Sequence, residues 1–174
     1  MRRVTIVGTT GSGKTTLARA LAERLGVPHV EMDALHWGPN WTAVPKEELR
    51  AKLDAALAGH GWVVDGNYRA VRDIVWTRAD TLVWLDYPLP VVMARLVRRT
   101  FGRAFRREPL WNGNRENLAT HLASRDSLFL WAWQTHPKHR REYPVELARP
   151  EHRHLRVVRL ASPEATRRWL DSVG

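Results

Sequence analysis

Lys14 and Thr15 close the stretch Gly8-Thr9-Thr10-Gly11-Ser12-Gly13-Lys14-Thr15, which fits G-x-x-x-x-G-K-[ST], the pattern of a phosphate-binding loop. Each position has a physical job. The glycines let the backbone curl with positive φ and turn its N–H groups inward onto an anion. The Lys14 ammonium can reach β- and γ-phosphates, and the Thr15 hydroxyl can take a place on Mg2+. The nucleotide is therefore assigned to Gly8, Gly11, Ser12, Gly13, Lys14, Thr15 and Thr16, with ATP and Mg2+ as the expected cofactors.

Carboxylates come next. Asp65 follows the apolar triplet Trp62-Val63-Val64. An acid that ends a buried strand can hold Mg2+, directly or through water, opposite Thr15. Asp65-Gly66 is also a plain turn signal, but the loop upstream favours the metal role. Asp86 has the same placement, followed by Tyr87-Pro88, and is read as structural or helix-capping. Glu31 and Asp33 stand two apart at the end of a second strand, where period 2 puts both on one face. A carboxylate at that edge can take a proton from an acceptor hydroxyl, and Asp33 is the one placed on the substrate.

Aromatic and cationic residues complete the set. Trp37 and Trp41 lie in the loop after Asp33, and Trp37 is assigned to wall the acceptor pocket. His36 beside them is read as a hydrogen-bonded loop residue. Arg95, Arg98, Arg99, Arg103, Arg106 and Arg107 form the densest basic run. Arg95 and Arg99 are four apart on a helix and share a face. Phosphoryl transfer needs cations on the migrating group, so Lys14, Asp33, Arg95 and Arg99 make up the catalytic set, with Arg95 also on the nucleotide. Arg125, Arg140 and Arg141 are further candidates.

Elements that could position these residues are legible. Arg3–Val7 is a β-rich run, and Leu17, Ala18, Leu21, Ala22 and Leu25 recur at helical spacing up to a stop at Gly26 and Pro28. Strands are expected at 29–32, 62–64, 81–85 and 155–160. Residues 33–44 read as a loop. Helices are expected from Pro45, over 90–100, over 116–134, from Pro137, and after the Ser162-Pro163 cap. Strands alternating with helices imply an α/β domain, a parallel sheet of about five strands with helices on both faces. Its carboxyl rim would carry Gly8, Asp33, Asp65 and Asp86.

Composition narrows the partners. The chain has 174 residues, fitting one domain over 1–174, and no cysteine, which excludes disulfides, thiolate zinc sites and a cysteine nucleophile. A cytoplasmic location is expected. Met1-Arg2-Arg3 leads straight into the first strand with no signal peptide, and no run of 18 apolar residues suggests a membrane partner. The formal charge is +10, and all but four of the 28 basic residues are Arg. Arg suits nucleotide phosphates by bidentate binding. Nucleic acid is the other anionic partner that this charge admits, but no basic tail, RNP motif or zinc-finger spacing supports it. Nothing singles out an oligomeric state.

The stretches GTTGSGKTT, DALHWGPNW, WVVDGNYRAVRD, ADTLVWLDYP, LWNGNRENL and SRDSLFLWAW resemble the nucleoside monophosphate kinase group of P-loop proteins, and within it the adenylate-kinase-related topology modulation branch. They cover most of the chain. The resemblance implies a three-layer P-loop NTPase fold with a short Arg-rich lid over about 102–117. Asp65-Gly66-Asn67-Tyr68-Arg69 is similar to the adenylate kinase motif Asp-Gly-Phe-Pro-Arg, which implies a magnesium-organising Asp65 and a substrate-side Arg69. Arg95-Leu96-Val97-Arg98-Arg99 is similar to the helix-to-lid motif, where the first Arg packs near adenine and a later one meets phosphates. Arg125-Asp126 resembles the pair that follows the lid, and Ala161-Ser162-Pro163 lies where the group closes over adenine.

One departure is informative. Adenylate kinases carry Thr-Gly-Asp after the second strand to grip the acceptor nucleotide. Here the chain reads Glu31-Met32-Asp33-Ala34-Leu35-His36-Trp37, which looks more like shikimate and gluconate kinases, whose acceptor is a hydroxyl. The expectation is an ATP-dependent small-molecule kinase with an unidentified hydroxyl acceptor. A nucleoside monophosphate kinase and a nucleotide-switched regulatory or DNA-associated protein are the alternatives.

Overall fold

The computed structural model describes residues 1–106, 111–114 and 127–173. Its centre is a five-stranded sheet, all parallel, in the order β2-β3-β1-β4-β5. The strands are β1 (Arg3–Gly8), β2 (His29–Glu31), β3 (Trp62–Asp65), β4 (Thr81–Leu85) and β5 (Arg156–Leu160). The helices are α1 (Lys14–Leu25), α2 (Met32–His36), α3 (Lys46–Ala56), α4 (Arg72–Arg78), α5 (Leu89–Arg106), α6 (Leu128–Leu147) and α7 (Pro163–Asp171).

Period-2 alternation sorts the strand residues into two cores. Val4 and Ile6 of β1, Val63 of β3, and Val83 and Leu85 of β4 pack on Leu17, Ala18 and Leu21 of α1 and Val92 of α5. Val7, Val30, Trp62, Val64, Leu82 and Trp84 pack on Leu49 and Leu53 of α3, Val75 and Trp76 of α4, and Tyr143 of α6. The result is three layers, the α/β sandwich of P-loop kinase folds. Strands β1, β3 and β4 are buried on both faces and read as continuous apolar runs, as parallel strands do. The edge strand β5 buries only Leu160.

The loop after β1 sits at the point where the strand order reverses, between β3 and β4. Ligands of open α/β sheets bind in the crevice outside such a point. Gly26, at φ 62°, ends α1 in the left-handed conformation, with its N–H on the Glu23 carbonyl. Ser162 caps α7 by accepting from the Ala165 N–H at 3.1 Å, with Pro163 in the first turn.

Several local expectations are corrected. Met32 opens α2 instead of ending β2, so Asp33 stands in a helical first turn and shares no strand face with Glu31. The expected loop over 33–44 holds this helix, a 3-10 turn at Pro39–Trp41 and an antiparallel bridge from Trp37 to Ala43. Helix α5 runs past Gly102 to Arg106, and its Val97 is 41% exposed. Pro137 starts no helix: α6 passes through both Pro137 and Pro144. A proline removes one helical hydrogen bond and crowds the carbonyl four residues back. Those residues, Trp133 and Arg140, are exposed, so water can serve their carbonyls. The span 102–117 expected as a lid is described only at 102–106 and 111–114, and most of the helix expected over 116–134, with Arg107, Arg125, Asp126 and the side chains of Arg103 and Arg106, lies outside the described residues.

Candidate active site

The phosphate loop is held by its backbone. Gly8 has φ 152°, and a Cβ there would stand 2.8 Å from the Leu85 carbonyl oxygen, so the close approach of β1 and β4 demands glycine. Gly13, at φ 97°, opens α1, and a Cβ would meet the Arg95 guanidinium at 3.1 Å. The Asn67 side chain clasps Gly8 from β3's end, accepting from its N–H at 3.2 Å and donating to its carbonyl. Lys14 Nζ donates to the Gly8 and Thr9 carbonyls at 3.0 and 3.2 Å. The Ser12 hydroxyl is buried with no hydrogen-bond partner among the described residues.

Asp65 ends β3 with odd-numbered parity, as Val63, and so faces the α1 layer. Thr15 Oγ1, in the first turn of α1, donates to Asp65 Oδ2 at 2.7 Å. His29 Nε2 lies 2.7 Å from the other oxygen and donates to it, which fixes its tautomer. Asp65 is only 4% exposed. A hydroxyl and a carboxylate side by side at a phosphate loop are the donor types that Mg2+ takes from a protein when phosphates and water complete its shell. The residues present fit that ion, and they fit a polyphosphate: a curled glycine backbone, a half-buried ammonium and a serine hydroxyl without a partner among the described residues.

Asp33 lies across from Lys14. Its Oδ1 accepts from the Tyr68 hydroxyl at 2.7 Å. Burial, then the Asp33 charge and this bond, push the Tyr68 pKa well above its ordinary value, while a side-chain hydrogen bond with Trp37 works against them. The phenol therefore stays a donor. Burial depresses the Lys14 pKa; the charges of Asp65 and Asp33 oppose this, and Arg99 adds to it. Lys14 thus feels two carboxylates and one guanidinium. Burial also lowers the His36 pKa, with Asp33 opposing, which keeps His36 a neutral ring beside the carboxylate.

Helix α5 brings Arg95 and Arg99 to the loop on one face. Arg95 Nη1 donates to the Ser12 carbonyl at 2.9 Å, and its guanidinium lies 5.4 Å over the Tyr87 ring. Arg98 is exposed. Thr16 is exposed at the mouth of α1. Trp37 stacks edge-on with His36 and Trp41. Asn114 locks this loop, donating to the Gly38 carbonyl at 2.9 Å and accepting from the Trp41 N–H at 3.0 Å. Arg69 sits at the rim, 65% exposed, with Glu142 3.9 Å away.

Asp86 caps no helix. It is buried between two arginines, with Arg159 Nε at 2.8 Å and Arg140 Nε at 2.9 Å. That takes Arg140 away from the loop, and Arg141 is exposed on the Pro137 carbonyl. Among the described residues, no cluster of three or more His, Asp or Glu could hold a metal ion, and no helix is long and apolar enough to cross a membrane.

Sequence reasoning missed His29, Asn67, Tyr68, Arg72, His139 and Tyr143. His29 was hidden in a strand whose pairing brings Glu31 level with Asp65. His139 and Tyr143 stand four apart, a helical signal that lies within the helix expected from Pro137.

Comparisons with known proteins agree with this architecture. A shikimate kinase from Synechococcus elongatus is 26% identical over 135 residues, 66% of this chain and 71% of its own. A shikimate kinase from Nitratidesulfovibrio vulgaris is 34% identical over 111 residues, 55% of this chain and 63% of its own. A putative adenylate kinase from Thermococcus kodakarensis is 30% identical over 107 residues, 58% of each chain. Among solved structures, the fold is shared with a gluconokinase from Sinorhizobium meliloti at TM-score 0.54 and 21% identity, covering 99% of this chain and 91% of that one. It is shared with a shikimate kinase from Acinetobacter baumannii in complex with shikimate at TM-score 0.57 and 15% identity, covering 99% and 90%. Residues 4–116 match the model of the AAA domain family, a span that holds the phosphate loop, strands β2 to β4 and the Thr15–Asp65 pair, and the chain belongs to that family of P-loop proteins.

Proposed function

We propose that this chain is an ATP-dependent phosphotransferase acting on a hydroxyl of a small metabolite. The observation that carries the reading is Asp33, held by the Tyr68 hydroxyl and close enough to Lys14 for its charge to oppose the fall that burial imposes on the Lys14 pKa. A base there faces the ammonium that would hold the migrating phosphoryl group. Lys14 exchanges the Gly8 and Thr9 carbonyls for phosphate oxygens, and Arg95 and Arg99 add positive charge from α5. Asp33 takes the acceptor's hydroxyl proton while the acceptor oxygen bonds to the γ-phosphorus. The bond from that phosphorus to the bridging oxygen breaks, and ADP leaves. Bound Mg2+, for which Thr15 and Asp65 are the fitting residues, supplies charge neutralisation on the phosphates.

Trp37 walls the acceptor side on this reading, and Arg69 at the rim is the first cation that an anionic acceptor meets. A phosphate acceptor is already ionised and needs cations, whereas a hydroxyl needs a proton acceptor, and this chain offers Asp33. A place in the cytoplasm and in the topology modulation branch rests on composition and on the quoted stretches.

The test offers Mg-ATP with sugar acids and other hydroxylated metabolites, then with AMP, CMP, UMP and GMP, and measures ADP production. Asp33→Asn should depress phosphoryl transfer at least 100-fold, about 3 kcal/mol, while ATP binding survives. Robust ADP production from a nucleoside monophosphate, unaffected by Asp33→Asn, would overturn the hydroxyl reading.

A further inference from the structure

The Asp65 carboxylate is held from two sides, by donors from different elements. Thr15 Oγ1 of α1 donates to Oδ2 at 2.7 Å, and His29 Nε2 of β2 donates to Oδ1 at 2.7 Å. Thr15 is brought there by the phosphate loop, whereas His29 belongs to a strand that the loop does not touch in sequence. His29 pairs with Val63, so it shares a sheet face with Asp65 and leans two residues along the strands to reach it. The residue level with Asp65 is Glu31, an acid that offers no donor. Strand β2 does not need the ring to stay in place, because the backbone ladder already joins it to β3 at His29, Val30 and Glu31. The two side chains are 17% and 4% exposed, so water has little room to replace the imidazole.

We propose that His29 is the positioning residue of the magnesium site, fixing the plane of the Asp65 carboxylate so that Oδ2 stays on the Thr15 side. The inference deepens the phosphotransferase reading and rests on its assignment of Thr15 and Asp65 to Mg2+. The carboxylate torsion of Asp is broad, so a single bond to Thr15 leaves the group free to swing. A second bond on the opposite oxygen removes that freedom before any ion arrives. Groups that orient a metal-holding side chain in this way are worth about 10–100-fold in metal affinity. The effect is specific to the ion, since His29 makes no bond to the phosphate loop, and the bonds of Lys14 and Asn67 to Gly8 do not pass through it.

The test uses the full chain in excess over ADP, with Mn2+ as the probe. Mn2+ suits the same oxygen donors, and its free form is read by electron paramagnetic resonance. His29→Leu should weaken Mn2+ binding about tenfold or more, while ADP affinity without metal, read by calorimetry, stays within twofold. His29→Gln, whose amide nitrogen reaches about as far as Nε2, should return Mn2+ affinity to within threefold of the parent. His29→Asn is polar but too short to reach Oδ1; it should behave as His29→Leu and serves if that variant fails to fold. Mn2+ affinity within twofold of the parent in His29→Leu overturns the proposal. So does an equal loss in His29→Gln, or a metal-free ADP affinity that falls as far as the Mn2+ affinity, the mark of a merely structural role. Asp65→Asn separates the layers of the argument. Unchanged Mn2+ binding there removes the metal assignment and His29 with it, whereas a loss there without one in His29→Leu overturns His29 alone. Mn2+ binding that depends on His29, in a chain that transfers no phosphoryl group to any acceptor, supports the positioning role and sinks the phosphotransferase reading.

Discussion

Replacing His139 by Phe should flatten the fall of stability between pH 6.5 and pH 4. The imidazole stacks on Tyr143 with its planes 4° apart, and its Nδ1 is buried without a partner among the described residues. Burial comes first, and the charges of Lys14, Arg72, His136 and Lys138 follow, in holding its pKa at about 4 against an ordinary 6.5. The folded chain therefore resists a proton that the unfolded chain accepts. Stability from this group is complete above pH 6.5, declines as pH falls through that value, and stops declining near pH 4. The full gap corresponds to about 3 kcal/mol, and partial contact with water reduces the expected loss to about 2 kcal/mol. Phe keeps the stack and removes the titration. Urea unfolding at pH 8 and pH 4.5 gives the loss for each protein, and the difference between the two losses cancels the contribution of every other titrating group. At pH 8 the variant should be at least as stable as the parent, since one orphaned nitrogen is gone. Parallel curves, within about 0.5 kcal/mol at both pH values, would refute the reasoning.

Asp65→Asn keeps one acceptor oxygen but sets an amide N–H2 against either Thr15 or His29, so the fold should survive with a loss of about 1–2 kcal/mol, read by thermal melting. Its magnesium-dependent ADP release should fall at least 100-fold, and release within threefold of the parent would count against the metal role. Gly66→Ala places a methyl group 2.8 Å from Met32 Cβ at a φ of 145°. It should cost about 1–3 kcal/mol in unfolding free energy, and a neutral result would mean that α2 can give way there.

What the sequence determined is local. The phosphate loop was legible because glycines, Lys14 and Thr15 are contiguous, and because an apolar run before it and helical spacing after it can fold only as strand, loop and helix. The central strands were legible for the same reason: burial on both faces leaves unbroken apolar runs such as Trp62-Val63-Val64. Asp65 was legible as a strand-end acid.

What only the tertiary structure decided is pairing between distant segments. Strand β3 lies between β1 and β2, so Asp65 meets Thr15 fifty residues back and His29 at a neighbouring strand's start. No spacing in the chain encodes that register. Asp33 faces the site for a different reason than strand periodicity: it sits in a helical turn and is held by Tyr68. Helix α6 shows the same limit. Its prolines signal breaks locally, yet Ala132, Thr135, His136 and Tyr143 find buried places in the fold, and packing outweighs two lost hydrogen bonds on a solvent-facing side. That helix carries Tyr143 and His139 to Arg72, making a cavity from residues seventy positions apart, because burial free energy depends on which faces meet and not on their order along the chain.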